Sequence, residues 1–135
     1  MKEKENMEAK ELSLEMVKTA AEAIDSKRGQ EITVIDISGM SSLGDYFVIA
    51  HGKNARQVQT MADETEAKLA AQGHRPRHIE GYTNAGWILM DYGDIVVHIF
   101  SEDERRFYDL ERIWKEGRFL TMEELGIESA GQGQD

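Results

Sequence analysis

Two short apolar segments separated by one glycine-centred turn constrain the fold most. Trp87–Tyr92 and Ile95–Phe100 flank Gly93, and glycine tolerates the positive φ that a tight hairpin turn needs. We therefore predict an antiparallel hairpin. Successive side chains of a strand point to opposite faces, and here both sets are mostly apolar. Such strands must be covered on both faces, by the protein's own helices or by a partner.

Apolar spacing elsewhere predicts three helices and three more strands. The predicted elements outside the hairpin are a helix over Ser13–Lys27 with Ser13 as its N-cap, strands Ile32–Ile37 and Tyr46–Ala50, a helix over Ala55–Gln72 capped by Asn54, a weak strand Arg77–Glu80, and a helix opening at the capping box Ser101-x-x-Glu104. The order α-β-β-α-β-β-β-α predicts an α/β domain with a mixed five-stranded sheet flanked by helices. Three helices cover roughly one and a half faces of such a sheet.

That partial cover leaves two interpretations of the hairpin. Burial of both faces by the protein's own helices is the more frequent arrangement. However, Trp87, Tyr92 and His98 carry polar tips that need partners, which leaves room for a docking surface at one end. In the third helix, Phe107 and Trp114 share a face and are expected to be core residues.

The chain length predicts one folded domain. With 135 residues, two domains would each be small. The polar ends predict a flexible charged N-terminus over residues 1–11 and a short turn with a flexible acidic tail over residues 121–135. Residues 12–120 are then the single α/β domain.

The charge balance argues against a nucleic-acid binder. Lys and Arg number 16 against 26 Asp and Glu, a formal charge of −10, and phosphate binding is driven by basic residues. The basic clusters Arg75–His78 and Arg105-Arg106 are short, so little direct nucleic-acid contact is expected. Basic protein partners are favoured instead.

Cysteine usage and hydropathy restrict the cellular setting. The chain has no cysteine, which excludes thiol catalysis and disulfide scaffolds and fits a reducing cytosol. The charged N-terminal sequence predicts no signal peptide, and no apolar run is long enough to span a bilayer. We therefore expect a cytoplasmic protein without a membrane segment.

The search for catalytic motifs leaves one enzyme alternative. No phosphate-binding glycine loop or serine elbow is present. His74 and His78 have metal-ligand spacing, but Pro76 between them breaks the helical geometry, so no metal site is predicted. The strand-end and turn carboxylates that remain are Asp36, Asp45, Glu80, Asp91 and Asp94. They could hold Mg²⁺ in a nucleotidyltransferase-type enzyme, although no Asp-x-Asp or Asp-x-Glu pair follows the Gly39-Met40-Ser41 loop, and Asp favours turns in any case.

Five blocks in order resemble a known family. Ser41–Ala50, Glu80-Gly81, Trp87–Asp94, Val97–Phe100 and Arg106–Trp114 resemble the ribosomal silencing factor family, also called the Iojap family. The resemblance implies a nucleotidyltransferase-like fold without its active site, and a translation repressor that is not an enzyme and needs no cofactor. It also implies binding to the large ribosomal subunit through large-subunit ribosomal protein fourteen, a steric block of subunit joining when nutrients are limiting, and self-association as a homodimer.

The resemblance also implies a partner-binding surface on the second half of the sheet. Its candidate residues are Trp87, Tyr92, Asp94, His98 and Tyr108. Trp87 and Tyr92 are expected to be the apolar anchors, since aromatic residues dominate interface energies. Asp94 is expected either to pair with a basic partner residue or simply to form the turn.

Overall fold

The computed structural model describes residues 2–127, with side chains from residue 8 onward. It contains four helices and six strands. Their bounds are α1 Lys2–Ser26, β1 Gln30–Asp36, β2 Tyr46–Gly52, α2 Ala55–Ala71, β3 His78–Glu80, β4 Trp87–Asp91, β5 Ile95–Ser101, α3 Glu102–Tyr108, α4 Leu110–Ile113 and β6 Arg118–Leu120. The α/β fold class is therefore confirmed. In this part of the chain, no helix is long and apolar enough to cross a membrane.

The strands form one mixed sheet in the order β3-β4-β5-β2-β1-β6. Only the central pair, β2 and β5, is parallel, with Tyr46 opposite Ile95. The predicted hairpin of β4 and β5 is confirmed, with Trp87 opposite Phe100 and Leu89 opposite His98. Gly93 lies in its turn with φ of 90°, as the sequence predicts.

The two faces of the sheet are covered unequally. One face packs against α1 and α2, and its core is fully buried around residues such as Val48, Ile88 and Val97. The opposite face carries a smaller cluster that includes Phe47, Phe100 and Leu110. Because α3 and α4 span only seven and four residues, this second face is covered incompletely.

The first helix begins earlier than the sequence analysis predicts. Ser13 is the expected N-cap, but α1 starts at Lys2, so most of the segment expected to be a flexible N-terminus is helical. The hydroxyl of Ser13 donates to the carbonyl of Ala9 at 3.1 Å, the backbone contact that serine makes inside a helix. Local sequence could not distinguish this role from capping. The second predicted cap is confirmed, since Asn54 Oδ1 accepts from Gln57 N at 2.8 Å.

The sheet has six strands rather than the predicted five, because Arg118–Leu120 pairs with β1. The predicted third helix is interrupted at Asp109, which has φ of 49°. The break turns Phe107 outward to 80% exposure, so its assignment to the core is wrong. Trp114 is half-buried and packs against the second-face cluster.

The turn predicted after the last helix is present. Glu124 N donates to Thr121 Oγ1 at 2.9 Å, and Thr121 N donates to Glu124 Oε1 at 3.0 Å, the reciprocal bonding of a capping box. Residues 128–135, most of the expected acidic tail, lie outside the described residues.

Candidate docking surface

A continuous group of aromatic rings lies on the second face of the sheet. Trp87 of β4 contacts Tyr108 of α3 with ring centroids 4.6 Å apart, and Tyr108 contacts Phe107 at 5.1 Å. Beside them, Trp114 packs against the buried Phe47 at 5.4 Å. We call the exposed and half-exposed members of this group, together with the adjacent Leu89, the aromatic surface: Trp87, Leu89, Phe107, Tyr108 and Trp114.

Strand alternation and helix capping place these residues together. Trp87 and Leu89 are two positions apart on β4 and therefore share a face. Tyr108 comes from α3, whose N-cap is Ser101. The Ser101 side chain accepts from Glu104 N at 3.3 Å, but Ser101 N donates to Gly86 O, so only half of the predicted capping box is formed. The sheet and the helix thus meet at the Trp87–Tyr108 contact, and Tyr108 remains 40% exposed.

His98 is buried under the aromatic surface and contacts Trp87. It is only 4% exposed, and its Nδ1 lies 3.1 Å from Trp87 Nε1. An indole nitrogen can only donate, so Nδ1 of His98 accepts and the ring proton is on Nε2. Burial lowers the pKa of His98 from 6.5 to about 3, which keeps the ring neutral. His98 therefore orients Trp87 and is not itself accessible to a partner, contrary to the expectation of a contact residue.

A shallow groove of about 190 Å³ lies at the edge of the aromatic surface, lined by Glu80, Gly81, Trp87 and Leu89. The exposed Glu80 carboxylate lies 2.9 Å from His78 Nε2. The groove therefore combines an apolar floor, an indole ring and a carboxylate at the rim. These three features suit the side chain of a lysine or arginine, whose aliphatic part packs on apolar groups while its charge contacts the ring and the carboxylate.

Tyr92 does not belong to this surface. It follows Ile88 and Met90 onto the helix-covered face, is 8% exposed, and contributes to the first core cluster. Burial raises the pKa of Tyr92 to about 12, and its hydroxyl has no hydrogen-bond partner among the side chains and backbone of residues 8–127. Tyr92 is expected to be an apolar anchor like Trp87, but the strand period separates the two rings by the thickness of the sheet, so Tyr92 lies outside the aromatic surface.

Asp94 lies at the other end of the hairpin from Trp87. The four residue steps of β4 from Trp87 to Asp91 alone span roughly 13 Å. Asp94 is exposed, and its carbonyl accepts from Asp45 N at 2.7 Å. The turn role expected for Asp94 is thus present, while its side chain lies away from the aromatic surface.

The carboxylates of the enzyme alternative are engaged separately. Asp36 Oδ1 accepts from the hydroxyl of Ser38 at 2.6 Å and its other oxygen lies 3.4 Å from Lys10 Nζ. Asp91 Oδ1 accepts from Gly93 N at 2.8 Å, which closes the hairpin turn. Within residues 2–127, no group of three or more His, Asp or Glu side chains is arranged to hold a metal ion.

Three members of the aromatic surface are absent from the predicted site residues: Leu89, and also Phe107 and Trp114, which are expected to be core residues. Leu89 could have been found from its position two residues after Trp87, which puts it on the same face. Phe107 could not, because its exposure depends on the break at Asp109, and Asp in the left-handed region has no unique sequence signal.

Two helices close the sheet on one face. The other face carries exposed aromatic residues and a small groove with one carboxylate at its rim. The family model for RsfS, ribosomal silencing factor during starvation, matches residues 10–135. The chain therefore belongs to the ribosomal silencing factor family, and the resemblance of the five sequence blocks is confirmed.

Individual relatives agree with this assignment. A ribosomal silencing factor from Bacillus subtilis is 42% identical over 108 residues, covering 80% of this chain and 92% of the relative. A crystal structure of a Chromobacterium violaceum protein matches with a TM-score of 0.73 and 32% identity, covering 86% of this chain and 93% of that one. A more distant mouse relative, "mitochondrial assembly of ribosomal large subunit protein 1", is 28% identical over 91 residues, covering 65% of this chain and 40% of the relative.

Proposed function

We propose that this protein binds the large ribosomal subunit through large-subunit ribosomal protein fourteen and blocks joining of the two subunits. Membership of the ribosomal silencing factor family supports the silencing role. The printed name of the mouse relative connects that protein with the large ribosomal subunit. In this proposal the protein is a cytoplasmic repressor of translation under nutrient limitation, and it performs no chemistry.

The observation that carries the proposal is the incompletely covered aromatic surface. Phe107 and Tyr108 are 80% and 40% exposed, and Trp87 is half-exposed beside the groove that ends at Glu80. Exposed apolar patches with polar rims are typical of protein-binding sites, and buried tryptophan and tyrosine contribute most to binding energy. An apolar patch with an acidic rim matches a basic ribosomal protein better than it matches ribosomal RNA.

Repression then requires only occupancy. A folded body bound on the subunit face that meets the small subunit excludes that subunit sterically, so affinity determines the effect. A micromolar dissociation constant corresponds to about 8 kcal/mol. The net charge of −10 speeds encounter with a basic protein and opposes non-specific contact with RNA.

Two tyrosines of nearly equal exposure give a matched test. Tyr108 is 40% exposed on the aromatic surface, and Tyr82 is 39% exposed but contacts Asp63 of α2 at 3.0 Å. We expect Trp87→Ala and Tyr108→Ala to weaken co-sedimentation with large subunits in sucrose gradients strongly, while Tyr82→Ala co-sediments like the wild type. Circular dichroism checks that each variant is folded.

The proposal has two clear failures. If Tyr108→Ala and Tyr82→Ala bind equally well, the aromatic surface is not the docking site. If joined ribosomal particles persist in gradients of mixed subunits at saturating wild-type protein, the proposal that this protein blocks subunit joining is wrong.

The isolated protein should also form a homodimer, because exposed apolar area favours association. Equilibrium sedimentation measures the mass of the protein in solution directly.

A further inference from the structure

The buried guanidinium of Arg105 connects α3 to the sheet through hydrogen bonds. Its side chain is 6% exposed, and it donates to Gln30 O at 3.2 Å, His51 Nδ1 at 3.1 Å and Thr33 Oγ1 at 3.0 Å. Nε and Nη2 also donate to Glu111 Oε2 at 3.0 and 2.5 Å. An arginine has five N–H donors, and the contacts of Arg105 use all of them.

Two residues near the contacts of Arg105 have a backbone conformation that L-residues rarely adopt. Asp109, between Arg105 and Glu111, has φ of 49°, and Glu31, next to Gln30, also has φ of 49°. Strand β1 is irregular at this point, with a register shift between Gln30 and Thr33. Such conformations persist only where surrounding contacts hold them, and here the same guanidinium contacts the chain beside each.

The break at Asp109 determines where the aromatic residues point. Tyr108 precedes Asp109 directly and contacts Trp87 with the ring planes inclined at 49°, while α4 after the break leads to Trp114, which packs on Phe47. Arg105 on α3 and Glu111 on α4 bridge the two helices across the break. Their ion pair therefore connects the two helices that precede and follow the break.

His51 contacts Arg105 as a neutral acceptor. A guanidinium can only donate, so His51 Nδ1 accepts and the ring proton is on Nε2. Burial, and then the positive charge of Arg105, lower the pKa of His51, and Arg106 acts in the same direction against the carboxylates of Glu31 and Glu102. A charged His51 would lose the bond to Arg105, so this bond requires the neutral ring.

We propose that Arg105 is a positioning residue for the aromatic surface, holding Tyr108 against Trp87 through its ion pair with Glu111 across the break at Asp109. The consequence for ribosome binding rests on the proposed function. The positioning itself is a property of the free protein and is measured without ribosomes.

The first measurement is the nuclear Overhauser effect between the Trp87 indole and the Tyr108 ring in the free protein. We expect Arg105→Lys and Glu111→Gln to weaken or abolish it while circular dichroism remains that of a folded protein. The control is Arg106→Lys, because Arg106 is 65% exposed and pairs only with Glu102 on the surface. If Arg105→Lys does not fold, the same measurement on the milder variant Glu111→Gln tests the proposal. An unchanged Trp87–Tyr108 contact in the folded variants would overturn the proposal.

The second measurement separates positioning from general destabilisation. We expect Arg105→Lys to weaken binding to large subunits by about tenfold in the wild-type background, and by less than about twofold in a Tyr108→Ala background whose residual binding is measured at high protein concentration. Equal effects in both backgrounds would overturn the positioning role. If the wild type does not bind large subunits while the ring contact still depends on Arg105, the proposed function fails and the positioning role stands.

Discussion

The two faces of the sheet differ in how completely the chain covers them. On the helix-covered face, Ile88 and Val97 are fully buried beneath α1 and α2. On the other face, Tyr108 and Ile113 are 40% and 65% exposed, because α3 and α4 are too short to reach across the strands. Close packing contributes most to stability on the first face, whereas incomplete packing on the second leaves aromatic area for a partner. In the proposed function, one face of the sheet therefore stabilises the fold and the other binds the partner.

Side chains of a single strand, β4, point alternately to the two faces of the sheet, which permits a matched comparison. In β4, Ile88 and Met90 point into the helix-covered core, while Trp87 and Leu89 point to the aromatic surface. Substitutions at neighbouring positions should therefore have opposite signatures in stability and in binding.

The largest expected effect on stability is that of Ile88→Ala. Removal of a fully buried isoleucine leaves a cavity under α1 and α2, and the free energy of unfolding should fall by about 2–5 kcal/mol. Urea denaturation measures this loss. The affinity for large subunits, corrected for the folded fraction, should not change; a reduced affinity would mean that the two faces are not independent.

The next effect is a pH dependence that belongs to the aromatic face. Because the pKa of His98 falls from 6.5 to about 3 on folding, its neutral form stabilises the native state fully above pH 6.5. Between pH 6.5 and pH 3 the unfolded chain binds the extra proton, so stability falls by roughly 1.4 kcal/mol per pH unit from this residue.

Denaturation at several pH values tests this assignment. His98→Gln, which keeps an acceptor for Trp87, should flatten the profile relative to the wild type. The other titratable groups are the same in both proteins, so the difference between the profiles isolates His98. Parallel profiles for wild type and His98→Gln would rule out the buried neutral state.

A smaller loss of stability is expected for Leu89→Ala, the partner of Ile88→Ala in the comparison. Leu89 is half-buried, so the free energy of unfolding should fall by about 1 kcal/mol. Binding to large subunits should weaken, since Leu89 forms the floor of the groove beside Glu80. Co-sedimentation over a series of protein concentrations measures this affinity. If Leu89→Ala binds with wild-type affinity, the groove is not part of the docking site.

The smallest effect is expected for Tyr92→Phe. The buried hydroxyl of Tyr92 has no hydrogen-bond partner within residues 8–127, so its removal should raise the free energy of unfolding by about 0.5–1 kcal/mol. Binding to large subunits should be unaltered because Tyr92 lies on the helix-covered face. A loss of stability would indicate a bound water at the hydroxyl, and a loss of binding would restore Tyr92 as a contact residue.

Much of the fold was predictable because its signals are local. The hairpin around Gly93 and the N-caps at Asn54 and Ser101 each depend on a few consecutive residues, and each is present. Trp87 and Tyr108 were also predicted as site residues, and the structure brings them into contact. These two came from family resemblance rather than from spacing.

The remaining features depend on contacts between distant segments. Strand β6 exists because Arg118–Leu120 pairs with β1, and the break at Asp109 is held by contacts of Arg105 with residues far away along the chain. Neither leaves a periodic signal. Arg105 itself looked like half of a short basic cluster, although it is buried among polar partners.

The amino-acid sequence by itself determined the hairpin, the order of the main helices and strands, the acidic charge and the family, because these depend on neighbouring residues or on ordered sequence blocks. Only the tertiary structure decided which face of the sheet is incompletely covered, and that Tyr92 and His98 are buried while Phe107 is exposed. It also decided that Arg105 is buried and pairs with Glu111 across the break at Asp109. The physical reason is that exposure is set by what packs above a side chain, and the segments that pack there are remote in sequence.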